Sequence, residues 1–119
     1  KNNIGMVYIN SNEAKRGGDD SLEAMKDYAK NMGYTFPYLV DQKSDIANAF
    51  GAKTTPHTYL FNRNKRLVYK GAIDDNFRDI SKVNEKYLLN AIEQMVSGKD
   101  IKIKETKAKG CSIKRELKN

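Results

Sequence analysis

The chain has 119 residues, near the commonest size of a single domain, and its 39 % apolar and 31 % charged residues suffice for one core beneath a wet surface. No apolar run approaches the roughly 20 residues a membrane-spanning helix needs, so neither a span nor a membrane partner is expected. The net charge of +7 points toward an anionic partner, but residues 98–119 alone carry +5 of it, with eight basic side chains against three acids and no aromatic residue. Nucleic-acid binders usually interleave basic groups with stacking aromatics, so this stretch reads as a solvated basic tail and no nucleic acid is expected. The chain opens on Lys1 rather than Met, as a processed or cut piece would, and an absent leader then says nothing about compartment.

The run Ile4-Gly5-Met6-Val7-Tyr8-Ile9 has the pattern of a strand covered on both faces. After the polar Asn10-Ser11-Asn12, the spacing of Leu22, Met25, Ala29 and Met32 predicts a helix over 21–32, with Asp20 and Glu23 as a capping pair and Gly33 as its stop. Phe36 to Val40 reads as a short strand opened by Pro37. Ser44 then caps a short helix that turns Ile46, Ala49 and Phe50 inward and ends at Gly51. Thr58–Phe61 and Arg66–Lys70, joined by Asn62-Arg63-Asn64-Lys65, form a hairpin. A last helix is predicted over 82–96, carried by Val83, Tyr87, Ala91, Ile92 and Met95 and closed by Ser97-Gly98. The domain is therefore placed at 1–98, followed by a basic, mostly irregular tail at 99–119. Strands alternating with helices, then a hairpin and a closing helix, make an α/β pattern with a mixed sheet.

Candidate chemistry is sparse. Cys111 is the one cysteine. Lys109 and Lys114 would favour its thiolate if they lie near the sulfur, which gives a resolving or mixed-disulfide thiol; the plainer reading is a free thiol, tucked away or exposed. His57 has no second histidine or nearby cysteine to complete a zinc site, and it belongs either on the outer face of a strand or in a groove beside Pro56. Asp74, Asp75 and Asp79 suggest a metal or acid/base pair, or a loop whose carboxylates cap the following turn. Asp41 and the pair Asp19-Asp20 read as caps in the same way. Gly17-Gly18 is too brief to cradle phosphate, and Tyr28, Tyr59, Tyr69 and Tyr87 read as core or rim. No metal and no cofactor are expected. On its own, Pro56 in "TTP" reads as a trans proline opening an edge strand.

The strings "VYINSN" (7–12), "DDSLEAMKDYA" (19–29), "FPYLVD" (36–41), "IANAFGAKTTPHTYLFN" (46–62), "LVYKGAIDDN" (67–76) and "GCSIK" (110–114), in this order and spacing, resemble the peroxiredoxin-like, AhpC/TSA-type redoxin branch of the thioredoxin superfamily, the thiol-disulfide oxidoreductase group. The resemblance covers almost the whole chain and implies the later part of a thioredoxin fold: a mixed sheet with flanking helices, lacking the N-terminal strand and active-site helix. It also implies that Pro56 is the cis-proline at the head of the hairpin, that Thr55, Pro56 and His57 border the substrate groove, and that the Thr55 backbone is available to an extended partner. Where family members carry tryptophan after the tail motif, this chain has Arg115.

The family places its cysteine pair at the start of a helix preceding the strand expected at 4–9, where a helix N-terminus lowers a thiol pKa from about 8.5 into the range of about 3.5–7.5. The chain thus looks like the part after that pair, with Cys111 as an accessory thiol. Three functions follow: the C-terminal part of a bacterial thiol-disulfide oxidoreductase or isomerase, inactive alone; a peroxiredoxin-like peroxide reductase; or a redox-inactive peptide-binding module. The partner is a protein or peptide thiol or disulfide, in the bacterial cytoplasm or the cell envelope. With the central strand missing, either residues 4–9 pair directly with 58–61, or the chain forms a strand-exchanged or edge-paired homodimer.

Overall fold

The computed structural model describes residues 4–18, 20–76 and 78–115. Asp19, expected ahead of the first helix, lies outside them. The chain divides into two units: residues 1–52 with 113–119, and residues 53–112.

In the first unit, β1 (Tyr8–Asn10) runs parallel to β2 (Tyr38–Val40), with Tyr8 opposite Tyr38 and Asn10 opposite Val40. Among the described residues β1 is in register with β2 alone. The expected cover on both faces is therefore not there: Val7 is 51 % exposed and Ile9 42 %. Tyr8 and Tyr38, sharing a face by register, join Tyr28, Tyr34 and Phe36 in a cluster of rings, Tyr34 stacking on Phe36 at 4.6 Å between centroids.

Helix α1 (Leu22–Met32) forms where the spacing places it, with Met25 buried and Gly33 ending it at φ 68°. Its cap is Ser21, whose hydroxyl accepts from the Ala24 N–H at 3.1 Å, rather than Asp20, whose carboxylate takes a hydrogen bond from Asn10. In α2 (Asp45–Phe50) the inward residue is Ala47, while Ile46 and Phe50 are exposed. Ser44 does not cap it. Asp41 does, accepting from the N–H groups of Ile46 (2.8 Å) and Ala47 (2.9 Å). Residues 113–115 belong to this unit, where Arg115 Nε donates to Asn48 Oδ1 at 2.9 Å.

In the second unit, β3 (Thr54–Thr55) is followed by the hairpin of β4 (Thr58–Phe61) and β5 (Leu67–Gly71). Helix α3 (Tyr87–Val96) begins several residues later than its apolar spacing suggests. The reason is the preceding loop, where Asp75 Oδ1 accepts the Asn84 N–H at 2.9 Å and the Glu85 carbonyl accepts the Asp75 N–H at 3.0 Å. Residues 83–85 are thereby drawn out of the helix. Leu60, Tyr69, Ala91 and Ile101 form the core, flanked by Val68, Tyr87, Leu88, Ile92 and Met95.

Ile101 lies beyond the boundary placed after Gly98, and the unit continues to Ser112. The stretch after α3 is mostly irregular and mostly exposed, with Ile101 buried in the core. Its last residues form β6 (Cys111–Ser112), antiparallel to β3. Among the described residues parallel and antiparallel pairing thus both occur, distributed over three two-stranded ladders.

Candidate active-site groove beside Pro56

The short strand β3 leads directly into Pro56, and the Thr55–Pro56 peptide bond is cis. Proline supplies no N–H, so the ladder cannot continue through it. On the other side of β3 stands β6, with Thr54 opposite Ser112 and Thr55 opposite Cys111. The structure therefore brings Thr55, Pro56 and Cys111 together. One edge of β3 at Thr55, whose backbone was expected to be available to an extended partner, is paired with the chain's own tail. Gly110 makes this approach possible: a Cβ at that position would collide with the Thr55 carbonyl oxygen and lie only 2.9 Å from its carbon and 3.1 Å from Pro56 Cδ. Cys111 is exposed, with a free thiol.

The tail is fastened to the hairpin upstream as well. The Thr106 N–H donates to the Lys70 carbonyl at 3.1 Å, and the Lys70 N–H donates to the Lys104 carbonyl at 3.0 Å. Thr106 Oγ1 accepts the Ala72 N–H at 2.9 Å and stands 2.7 Å from the Tyr69 hydroxyl. The Tyr69 O–H donates to the Ala72 carbonyl, so the Thr106 hydroxyl donates to Tyr69 and the ring of bonds closes. Burial pushes the Tyr69 phenol pKa up, so it stays protonated for that role. Gly71 is needed at this crossing, because a Cβ there would meet Thr106.

Between these anchors and Pro56 opens a cavity of about 750 Å³, bordered by Pro56, Ile73, Tyr87, Thr106, Lys107 and Lys109, with Asp74 and Asp75 on the loop side. This size falls within the range of small-ligand pockets. The loop is fixed by its own side chains: Asp74 Oδ1 accepts the Asn76 N–H at 3.0 Å, and Asp79 Oδ1 accepts the Ser81 N–H at 3.0 Å. These carboxylates are turn and helix caps, and among the described residues no cluster suited to a metal ion exists. His57 does not border the cavity. Half-buried, it stacks on Tyr59 with 4.5 Å between centroids, and the Tyr59 hydroxyl lies 3.2 Å from its Nδ1. Burial, then the Lys70 charge, hold its pKa below that of an ordinary imidazole, against a pull upward from Glu105.

Thr106, Lys107 and Tyr87 were not legible as groove residues. Tyr87 reads as an ordinary core position on a helix face, and nothing in a lysine-rich stretch singles out Thr106.

The first unit holds a separate polar assembly at the carboxyl ends of β1 and β2. The Arg16 guanidinium donates to the Asn10 carbonyl at 2.6 Å and to Asn10 Oδ1 at 2.8 Å, and pairs with Glu13 at 2.7 Å. Burial alone would push the Asp41 carboxyl up. Hydrogen bonds from the Ile46 N–H, the Ser11 hydroxyl and the Ala47 N–H, with the Arg16 charge, outweigh it and hold the pKa below the usual carboxylate range. No exchangeable group is offered here; the assembly fixes the loops.

Strands alternating with helices, then a hairpin and a closing helix, make this a thioredoxin-like protein, as its structural neighbours are. The chain matches the AhpC/TSA family over residues 3–70 and belongs to it. It is 32 % identical over 50 residues to the thiol-disulfide oxidoreductase ResA of Geobacillus thermodenitrificans, a match spanning 42 % of this chain and 28 % of that protein. Two solved structures are similar along 98 % of the chain. One is a hypothetical protein of Sinorhizobium meliloti (36 % identity, TM-score 0.88) and the other an uncharacterized conserved protein of Geobacillus kaustophilus (35 %, 0.87). The chain spans 64 % and 62 % of their lengths.

Proposed function

We propose that this chain is the part of a bacterial thiol-disulfide oxidoreductase that follows its active-site cysteine pair, and that it turns over no disulfide alone. The single cysteine carries the reading. In disulfide reduction one thiolate attacks a disulfide sulfur and releases the partner's thiolate; a second thiol must then resolve the mixed disulfide. Cys111 can perform the first exchange but has no second thiol in the chain. Membership of the AhpC/TSA family and the likeness to ResA support the reaction class. Thr55, Pro56 and the adjoining cavity supply the substrate groove, and Cys111 stands beside it as an accessory thiol.

Insulin-reduction and peroxide-consumption assays test this on the full-length gene product, beside the 119-residue chain and a full-length Cys111→Ser variant. The full-length protein is expected to reduce insulin while the 119-residue chain matches a single-thiol control. Turnover by the short chain would overturn the reading. Peroxide consumption without insulin reduction would move the protein to the peroxide reductases, and inactivity in both assays would leave a peptide-binding module. We also propose that the isolated chain pairs the free edge of β1 with a second copy, a reading supported by the exposure of Val7 and Ile9. Light scattering on the same samples is expected to give a dimer, and a monomer throughout a concentration series would overturn it.

A further inference from the structure

We infer that Gly110–Ser112 is a built-in occupant of the peptide-pairing edge at Thr54–Thr55, and that the segment this edge accepts is an extended peptide with a glycine immediately before its cysteine. The inference rests on the groove reading above and names the substrate class of that groove.

The specificity is read from the occupant. Opposite Thr55 stands Cys111. One residue earlier the approach to the Thr55 carbonyl and Pro56 Cδ leaves no room for a Cβ. The obstacle is backbone and a proline ring, neither of which can swing aside as a flexible side chain would. Glycine is therefore the residue accepted before the cysteine, whether it comes from the tail or from a partner.

The occupant is also built to leave. Its ladder is two residues long, Cys111 and Ser112 are both exposed, and its fastenings lie outside it, upstream at Thr106 and downstream at Lys114, whose N–H donates to Asn12 Oδ1 at 2.9 Å and whose carbonyl accepts the Ala14 N–H at 2.9 Å. So short a ladder on the surface opens at small free-energy cost. Tethering keeps the tail at an effective concentration on the order of millimolar, which an incoming peptide must overcome.

The test uses the 119-residue chain and a fluorescein-labelled peptide reproducing residues 108–114, with alanine for cysteine so that no disulfide can form. A twin peptide carries valine in place of glycine. Anisotropy is expected to show weak binding of the glycine peptide to the unmodified chain, and binding about tenfold tighter or more to Gly110→Val, whose own tail no longer fits. The valine peptide is expected to bind neither. Thr55→Cys provides a variant that does not depend on displacing the tail: oxidation should link it to Cys111 and abolish binding, and reduction should restore it. Failure of that pair to oxidise, equal binding before and after reduction, or equal binding of the two peptides would each overturn the inference. None of these outcomes bears on insulin reduction by the full-length protein, whose absence would remove the oxidoreductase reading alone.

Discussion

In residues 53–112 the buried side chains that hold the unit are apolar, Leu60, Tyr69, Ala91 and Ile101, whereas in residues 4–52 Asn10, Asp41 and Ser44 are buried beside Met25, Ala47 and Ala52. The second unit rests on contact between a hairpin, a helix and the returning tail. The first is stitched by hydrogen bonds around Arg16 and Asp41, while the apolar residues of β1 remain exposed. An apolar core depends mainly on shape and is nearly indifferent to pH. A buried carboxylate depends on staying ionised, so the two units should fail under different conditions.

Tyr69→Ala is expected to have the largest effect. It empties a fully buried site in the second unit and removes the hydroxyl that Thr106 donates to, costing about 3–5 kcal/mol. Urea unfolding followed at pH 7 and again at mildly acid pH should show the same loss. A loss that depends strongly on pH would blur the contrast between the units.

Asp41→Asn comes next. It weakens the cap on α2 and the bonds from Ser11 and the Ala47 N–H, and is expected to cost about 1–3 kcal/mol at neutral pH. Because the folded pKa of Asp41 lies below its unfolded value, the native state binds fewer protons there. Its stabilisation is present above the ordinary carboxylate pKa and is lost as pH falls through the lowered one. The acid limb of a stability profile should therefore flatten in the variant. An unchanged acid limb would show that other carboxylates dominate it.

His57→Gln should give the smallest change. The folded pKa of His57 is also lowered, so its contribution is present above about pH 6.5, and is lost as pH falls through the lower folded value. The variant should lose the slight decline of the urea midpoint just below neutrality, and a decline that persists would assign it elsewhere.

Local signals carried much of the fold. The spacing of Leu22, Met25 and Ala29 with Gly33 behind them placed α1, and the polar Asn62–Lys65 between two apolar runs placed the hairpin. Pro56 by itself pointed only to the start of an edge strand, and its groove reading came from the resemblance carried by the longer strings. Contacts between distant residues were not legible. Thr106 looks like any polar residue in a lysine-rich stretch until Tyr69 and Ala72 are seen around it. The pairing of Thr55 with Cys111 joins residues far apart in sequence, and two-residue strands leave no periodic trace. Asp41 was legible as a cap, but Ser44 competed for the same role, and only coordinates show its φ of 56° with no capping bond.

The two glycine crossings, Gly71 under Thr106 and Gly110 under Thr55, fix a count along the tail. Thr106 is pinned at one end, and the residue that passes Pro56 must be glycine at the other. The chain between them behaves like a measured cord. Removing one residue from it would either pull Gly110 out of its crossing or leave Thr106 unfastened. If the tail nevertheless slid by one position, Ser112 would come opposite Thr55, and side-chain alternation would turn every later residue to the opposite face. The thiol's place beside the groove is thus set by the length of an irregular segment, in which the number of residues matters more than their identity.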